Sequence, residues 1–301
     1  MSRLRFRYYM KLSFDGPAEK HRFTLKCIPV SDEKQEITLY KKDIYPNSFI
    51  SEGTDSFGNA LIYGYEESEH KCFFFDIRGE AVCGEEGMQL RKDKLYYKWP
   101  FESVFKYPTK CTAAGEGIKA YAGKLDRLFA DRDSEERVKA ELVAEFAEQY
   151  YREFFHGSSP SEEARYAILV MNRLFQDFKY MGGVTEVGTT AEEAFRRGRG
   201  VCQDYAHIMI AILRLRRIPC RYVTGMTLGE GASHAWIEVY TNGFWLPLDP
   251  TNGIVVMDQH IKIAHGRDFS DCLVNQGVFV GNSKQNQEIT VYVEKTDGSK
   301  K

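Results

Sequence analysis

The sequence GRGVCQDYAHIMIAILRLRRIP, residues 198–219, decides how the second half of the chain is expected to fold. Its middle contains few strongly polar side chains, so we expect a helix over Val201–Arg217 that is buried on most sides. Glycines precede this segment and Pro219 follows it, and these residue types commonly flank a helix. Cys202 therefore lies in the first turn of a buried helix.

This position gives Cys202 a chemical meaning. The first turn of a helix carries unpaired backbone N–H groups and the positive end of the helix dipole, and both favour an anion. A thiol in such a place is a better nucleophile at neutral pH. The two preceding glycines let the backbone approach closely and leave the sulfur accessible. Cys202 is the candidate nucleophile, and its backbone N–H is a natural donor to an oxyanion.

A thiol nucleophile needs a base, and the alternating segment SHAWIEVYT, residues 233–241, offers His234 on one face of a strand. Asn242 and Gly243 follow, and this dipeptide is the strongest short signal for a two-residue hairpin loop. Such a loop places Asp249, at the end of the next strand, diagonally across from His234 on the same face. A three-residue loop would place Asp249 on the opposite face.

Nucleophile, base and orienting acid thus occur in the order required for acyl transfer through a thioester. In this interpretation Cys202 attacks a carbonyl, His234 protonates the leaving amine, and Asp249 holds the imidazole in its working tautomer. No metal or organic cofactor is expected. His260, His265 and Cys272 have spacings that fit a metal site poorly.

Three further residues are weaker candidates for the same site. Gln203 and Tyr180 are candidates for the second oxyanion donor, which the pattern does not specify. Trp236 shares the strand face of His234 and is a candidate wall of the substrate cleft, with core packing as the alternative. His207 lies some 140° around the helix from Cys202, at about 100° per residue, so we expect a buried, hydrogen-bonded histidine.

Four segments in this order closely resemble the bacterial transglutaminase-like superfamily. They are GRGVCQDYAH (198–207), RIPCRYV (217–223), HAWIEV (234–239) and LDPTNG (248–253). HIKIAHGRDF, residues 260–269, looks like the downstream block of that family, and the first hundred or so residues are similar to its N-terminal domain. The resemblance implies a papain-like core whose Cys-His-Asp triad maps by motif onto Cys202, His234 and Asp249. Family members include transglutaminases, peptidases and amidases.

Two domains are expected in a chain of 301 residues. Short aromatic and branched segments separated by turn residues fill the first ~105 residues and predict an all-β sandwich-like domain, residues 1–105. Residues 106–301 are then a transglutaminase-like catalytic domain with Cys202 on a helix N-terminus and His234 and Asp249 on adjacent antiparallel strands. The fold class is α+β. Its predicted helices before the nucleophile are Glu116–Phe129, Ser134 to about Phe155, Ser159 or Ser161 to Phe178, and a short one that begins with a capping box at Thr190 and ends at Gly198.

Charge and cysteine content limit which binding partners and which cellular location are expected. With 41 Lys plus Arg against 43 Asp plus Glu, the chain has no net positive charge that would favour nucleic acid or anionic lipid. No stretch approaches the ~18 apolar residues of a membrane span, and the N-terminus does not resemble a signal peptide. The seven cysteines are scattered without CxxC spacing, which indicates reduced thiols in a cytoplasmic protein.

The sequence favours a cysteine-dependent hydrolase of amide bonds, of the peptidase, isopeptidase or amidase kind, with a peptide or protein substrate. One alternative is an amine acyltransferase of the transglutaminase type. The other is a non-catalytic module that binds a peptide in the same cleft. The pattern specifies neither the substrate nor the oligomeric state.

Overall fold

The computed structural model describes residues 2–84, 102–150, 160–241 and 243–296. These residues form a β-rich N-terminal part, a set of helices and a second sheet, so the predicted α+β class is confirmed. The strands are β1 (Ser2–Leu25), β2 (Gln35–Tyr45), β3 (Phe49–Thr54), β4 (Ala60–Glu66), β5 (His70–Cys83), β6 (Lys179–Tyr180), β7 (Arg199–Gly200), β8 (Cys220–Thr227), β9 (Gly229–Gly231), β10 (His234–Thr241), β11 (Phe244–Asp249), β12 (Ile254–Val255), β13 (His260–Gly266), β14 (Asn275–Val280) and β15 (Gln285–Lys295). The α-helices are α1 (Glu116–Ala130), α2 (Glu135–Tyr150), α3 (Glu162–Asp177), α4 (Ala191–Arg197) and α5 (Cys202–Leu215).

The long strand β1 is the centre of the larger sheet. Apolar and polar residues alternate along it, and this alternation buries Leu4, Phe6, Tyr8 and Met10 as a strand requires. Its first half pairs with β5 and β15, and its second half pairs with β4 and β14. Among the described residues this sheet has eight strands, with the main order β2-β5-β1-β15-β9.

The last two strands among the described residues belong to the sheet that the first strand organises. β14 and β15 both pair antiparallel with β1, although about 250 residues separate them in sequence. Buried apolar residues of the first sheet, the helices and the second sheet form one continuous cluster. The predicted division between residues 105 and 106 stays a prediction, because residues 85–101 lie outside the described ranges.

The helix boundaries follow the predicted capping residues. Ser134 accepts a hydrogen bond from the Arg137 N–H, and Ser161 caps α3 in the same way. Thr190 begins α4 with a complete capping box, and Gly198 ends it in the left-handed conformation with φ 64°. α2 is described as far as Tyr150, and its predicted end near residue 155 falls outside the described residues. Within the described ranges, no helix combines the length and the apolar character needed to cross a bilayer.

The smaller sheet and helix α5 position the candidate residues. Within the described residues, the smaller sheet has five strands in the order β12-β11-β10-β8-β13. Helix α5 packs against β10 and β8. All side chains of α5 from Asp204 to Arg214 are buried, as the low polarity of the segment predicts. Thr241 pairs with Phe244 across the hairpin, so the register is that of a two-residue loop; Asn242 itself is outside the described residues.

Candidate active site

Cys202 is the first residue of α5 and is half-buried. The preceding residue, Val201, is extended, and its N–H donates to the Asp204 carboxylate at 2.7 Å. Asp204 reaches back over Gly200, where an added Cβ would lie 2.3 Å from its carboxylate oxygen. Glycine is therefore needed two residues before Cys202, because the carboxylate that fixes the first turn occupies the space of a side chain.

His234 and Asp249 meet as the hairpin register predicts. His234 is the first residue of β10, Asp249 is the last residue of β11, and His234 Nε2 lies 2.8 Å from Asp249 Oδ2. A cross-strand diagonal pair on one face can make this contact because period-two alternation places both side chains on that face.

The turn after β11 holds the Asp249 carboxylate in place. Its Oδ1 accepts the backbone N–H groups of Thr251 and Asn252 at 2.9 and 3.3 Å, and its Oδ2 accepts the Asn252 side-chain amide at 2.7 Å. The side chain of Asp249 has no exposed surface. Burial by itself raises the pKa of Asp249, but hydrogen bonds from His234 and His260 outweigh burial and hold that pKa well below its usual range.

His234 lies between this carboxylate and the Cys202 thiol. Burial disfavours its positive charge, but hydrogen bonds with Asp249 and with Cys202 prevail and raise the pKa of His234 to about 10. Because Nε2 is directed at Asp249, Nδ1 is the nitrogen available for the hydrogen bond with the Cys202 sulfur. The geometry thus places an imidazolium beside a thiol at a helix N-terminus, which is the environment that activates a thiol for nucleophilic attack.

Family models match the two parts of the chain in the same order. Residues 148–250, which include all three of these side chains, match the transglutaminase-like superfamily. Residues 4–82 match the bacterial transglutaminase-like N-terminal region. The chain belongs to the transglutaminase-like superfamily. The resemblance drawn from the four sequence segments is confirmed.

Two relatives of this transglutaminase-like protein and one solved structure illustrate the similarity. An uncharacterized protein of Mycobacterium leprae is 34% identical over 44% of this chain and 51% of its own length, and one of Mycobacterium bovis is 34% identical over 41% and 44%. The matches thus span about half the length of these relatives. The crystal structure of a candidate cysteine protease from Cytophaga hutchinsonii covers 100% of this chain and 92% of its own, with a TM-score of 0.64 and 18% identity. At that identity the likeness shows a shared fold.

The three weaker candidates of the transglutaminase-like core lie near Cys202 and His234 but differ in what they offer. The Gln203 side-chain amide donates to the Val187 carbonyl at 3.0 Å. Tyr180 is 62% exposed and lies on β6, which pairs with β7 just before Cys202. Burial and the nearby Cys202 thiol raise the pKa of Tyr180. Their roles as oxyanion donors stay predictions. Trp236 is only 2% exposed and stacks on the His234 ring, and its role as a wall of the substrate cleft also stays a prediction.

Sequence reasoning missed one residue of this site, His260. Its Nε2 approaches the same Asp249 oxygen at 3.4 Å, and its ring lies 5.2 Å from that of Trp236. The sequence offered one signal, since His260 begins the downstream block that resembles the family. His265 and Cys272, considered with His260 for a metal, belong to no common ligand group with it in the described part of the chain.

His234, Asp249 and His260 are also the described residues whose ligand atoms lie close enough to consider a metal ion. Those atoms are all within 4.8 Å of one another. Both imidazole nitrogens are nevertheless directed at a fully buried carboxylate oxygen that also accepts the Asn252 amide. Hydrogen bonding accounts for this arrangement, and the expectation of a metal-free site stays a prediction.

His207 is confirmed as a buried, hydrogen-bonded histidine. It has no exposed surface, and its Nε2 accepts the Phe269 backbone N–H at 3.1 Å. Burial lowers the pKa of His207 to about 4, so the ring is neutral at physiological pH. It lies on the same helix as Cys202 but serves the packing of the segment around Phe269.

The raised pKa of His234 predicts a pH dependence of stability. Its pKa is about 10 in the folded protein against an ordinary value of 6.5. Protonation of His234 therefore stabilises the fold fully below pH 6.5, and this stabilisation is lost as the pH rises towards 10. Between pH 6.5 and pH 10, we expect the free energy of unfolding of the wild type, measured with urea, to fall by about 2 kcal/mol more than that of His234→Ala. Parallel pH profiles for the two proteins would contradict the prediction.

Proposed function

We propose that this protein breaks amide bonds of peptides or proteins through a thioester on Cys202. The observation that carries the proposal is the position of His234, which contacts the thiol on one side and a buried carboxylate on the other. Such an imidazole can carry positive charge while the sulfur is a thiolate, and it can then deliver its proton to a leaving group.

The steps follow from these contacts. The Cys202 thiolate attacks the amide carbon, a C–S bond forms, and the carbonyl electrons move onto oxygen. When the C–N bond breaks, the departing amine takes the Nδ1 proton of His234 and a thioester remains. Neutral His234 then takes a proton from water as the water oxygen attacks the thioester. The carboxylic acid leaves, and the thiolate and the imidazolium are restored.

The helix start also offers stabilisation for the oxyanion. The backbone N–H of Cys202 lies in the first turn of α5, where helix N–H groups have no partner within the helix. A donor in this position opposes the negative charge that develops on the carbonyl oxygen. We assign it as one donor to the oxyanion, and Gln203 and Tyr180 are the nearest candidates for a second.

Iodoacetamide labelling of each cysteine tests the proposal directly. Cys72 and Cys111 are as half-buried as Cys202 and serve as internal controls. At pH 6 we expect Cys202 to react at least about ten times faster than either control, because an imidazolium stabilises its thiolate. His234→Ala is expected to remove this advantage and leave the two control rates unchanged. Mass spectrometry of the labelled peptides gives all three rates in one experiment.

The same measurement has a clear contrary outcome. If Cys202 reacts no faster than Cys72 and Cys111 in the folded protein, yet reacts normally after unfolding, the thiol is intact but not activated. That result would favour the second candidate function, a peptide-binding module. The presence of nucleophile, base and orienting acid in contact argues against this alternative, since a binding module has no need of all three.

Hydrolysis is proposed over amine transfer because water is the abundant acceptor and the described residues around His234 are histidine, tryptophan and a buried carboxylate. We expect a casein digest to yield mainly new carboxyl groups, even in the presence of millimolar cadaverine. Incorporation of cadaverine in excess of hydrolysis would instead assign a transglutaminase reaction.

We further propose a cytoplasmic location with peptide or protein substrates and without nucleic acid or membrane partners, as the charge and the cysteine pattern suggest.

A further inference from the structure

His260 is a second imidazole on the carboxylate that orients His234. Its Nε2 approaches Asp249 Oδ2 at 3.4 Å, and His234 Nε2 contacts the same oxygen at 2.8 Å. The two rings are 5.9 Å apart, and His260 is 8% exposed. Because backbone N–H groups occupy Oδ1, Oδ2 is the oxygen that both imidazoles share.

The strand that begins at His260, β13, is an edge strand of the smaller sheet, and its outer edge is covered by side chains of the N-terminal part. The Gln35 amide donates to the Lys262 carbonyl at 2.7 Å and accepts the Lys262 N–H at 2.8 Å. The Asn59 amide makes the same pair of bonds to the backbone of His265, both at 2.8 Å. Two amide side chains thus replace the missing neighbouring strand.

A bulge in β13 makes both contacts possible. The N–H and C=O of one residue point to the same edge of a strand, and every second residue shares that edge. Lys262 and His265 are three residues apart, so a regular strand would present them to opposite edges. β13 has one extra residue relative to β8 between Lys262 and Ala264, which reverses the alternation and brings both residues to the outer edge.

These contacts are built into the interior. Gln35 is 3% exposed and Asn59 is 1% exposed, and Asp55 holds the Asn59 amide through a hydrogen bond of 2.9 Å. Beside Gln35, the Lys262 ammonium contacts Glu238 of β10 at 3.3 Å. Buried polar groups with complete hydrogen bonding fix one arrangement of the segments that carry them.

We propose that His260 is a positioning residue that holds the Asp249 carboxylate in the orientation that serves His234. Gln35 and Asn59 fix the strand that carries His260. The inference rests on the proposed function, and it gives the β-rich N-terminal part a task in the reaction: to hold one of the two imidazoles on the orienting carboxylate.

Loss of the hydrogen bond from His260 to Asp249 is expected to change the pH dependence of the site in one direction. A hydrogen bond to a carboxylate favours its ionised form, and the bonds from His234 and His260 both lower the pKa of Asp249. The titratable groups facing this carboxylate are His234 on β10 and His260 on β13, with Cys202 of α5 beyond His234. Loss of the His260 donor leaves the Asp249 carboxylate less firmly directed at His234, so the imidazolium beside the thiol is less stabilised and the imidazolium–thiolate pair forms at a higher pH.

The test is the pH profile of iodoacetamide labelling at Cys202 from pH 4.5 to 9, with EDTA present, in the full chain. His260→Leu is expected to move the acid limb of the profile up by about one pH unit and to lower the neutral rate about threefold. His260→Gln is the conservative variant, because its amide nitrogen can take the place of Nε2. It is expected to restore the wild-type profile.

The outcomes separate this inference from the proposed function. If the wild-type rate does not depend on His234, the proposed function fails. If it does, but His260→Leu gives the wild-type profile or a uniform loss without a shift, the positioning role alone is overturned. Imidazole ¹⁵N NMR of the wild type covers the case in which His260→Leu does not fold: a proton on His260 Nε2 supports the role, and a proton on Nδ1 alone overturns it.

A separate pair of substitutions tests the contribution of the N-terminal part. The pair Gln35→Leu and Asn59→Leu is expected to shift the acid limb in the same direction as His260→Leu, by about half as much. Asn286→Leu, at an exposed amide on β15, is the matched control and is expected to leave the profile unchanged. An unshifted profile for the folded double variant would show that β13 keeps His260 in place without the two amides.

Discussion

Asp249→Asn is expected to slow iodoacetamide labelling of Cys202 at pH 6 about a hundredfold. The physical reason is the loss of the buried charge that, with the thiol, raises the pKa of His234 to about 10. Without that charge, burial of the ring prevails and pushes the pKa of His234 down, so the thiolate loses its cationic neighbour.

Asparagine also presents the wrong hydrogen-bonding group. The Oδ2 position accepts bonds from His234, His260 and the Asn252 amide. An amide nitrogen placed there would face three donors, so the His234 tautomer would have to reverse and carry its proton on Nδ1. That nitrogen must be free to accept the thiol proton, and the base would therefore be blocked.

Asp43→Asn is the matched control, since Asp43 is a half-exposed carboxylate of β2 that pairs with Lys41 at 3.4 Å. It removes the same charge and is expected to leave the labelling rate unchanged. Thermal unfolding of both variants shows whether each is folded. If folded Asp249→Asn labelled at the wild-type rate while His234→Ala was slow, Asp249 would not be the residue that orients the base.

Gly225→Ala is expected to destabilise the protein by about 3 kcal/mol. Gly225 is a buried residue of β8 that pairs with His234 of β10. A Cβ at this position would lie 2.2 Å from the Ile261 carbonyl oxygen and 2.4 Å from the Trp236 ring. The indole occupies the space of the missing side chain, so one methyl group displaces the ring that packs against His234 and His260.

Gly123→Ala is the same substitution, but it is expected to stabilise the protein instead of destabilising it. Gly123 lies inside α1, and an added Cβ there meets nothing within 4 Å. Alanine is the better helix former, so this variant is expected to gain about 1 kcal/mol. Urea unfolding of the two variants beside the wild type measures both effects. A Gly225→Ala protein as stable as the wild type would contradict the assigned packing of Trp236.

The contacts that local patterns specify were available from the sequence. The position of Cys202 at a helix start follows from glycines, a buried apolar segment and a proline. The pairing of His234 with Asp249 follows from the period of two in a strand and a loop of two residues, which together fix the register. The capping residues Thr190 and Gly198 are local in the same sense, because each acts on backbone groups within one helical turn.

Other parts of the site were decided by tertiary structure. His260 meets Asp249 because β13 lies beside β8 while β11 lies beyond β10, and no local pattern states that strand order. Gln35 contacts Lys262 across 227 residues of sequence, and Asn59 contacts His265 across 206. Both contacts depend on a bulge that shows no turn signal in the sequence.

The sequence by itself therefore determined that Cys202 begins a buried helix and that His234 meets Asp249, together with the α+β class and the family. Hydrogen bonding within a helical turn or a hairpin constrains residues that are near in the chain, and a single sequence displays such constraints as spacing. Only the tertiary structure decided that the two closing strands β14 and β15 pair with β1, and that His260 shares Asp249. These features arise because distant segments bury each other's polar and apolar surfaces, and their partners leave no periodic trace in the chain.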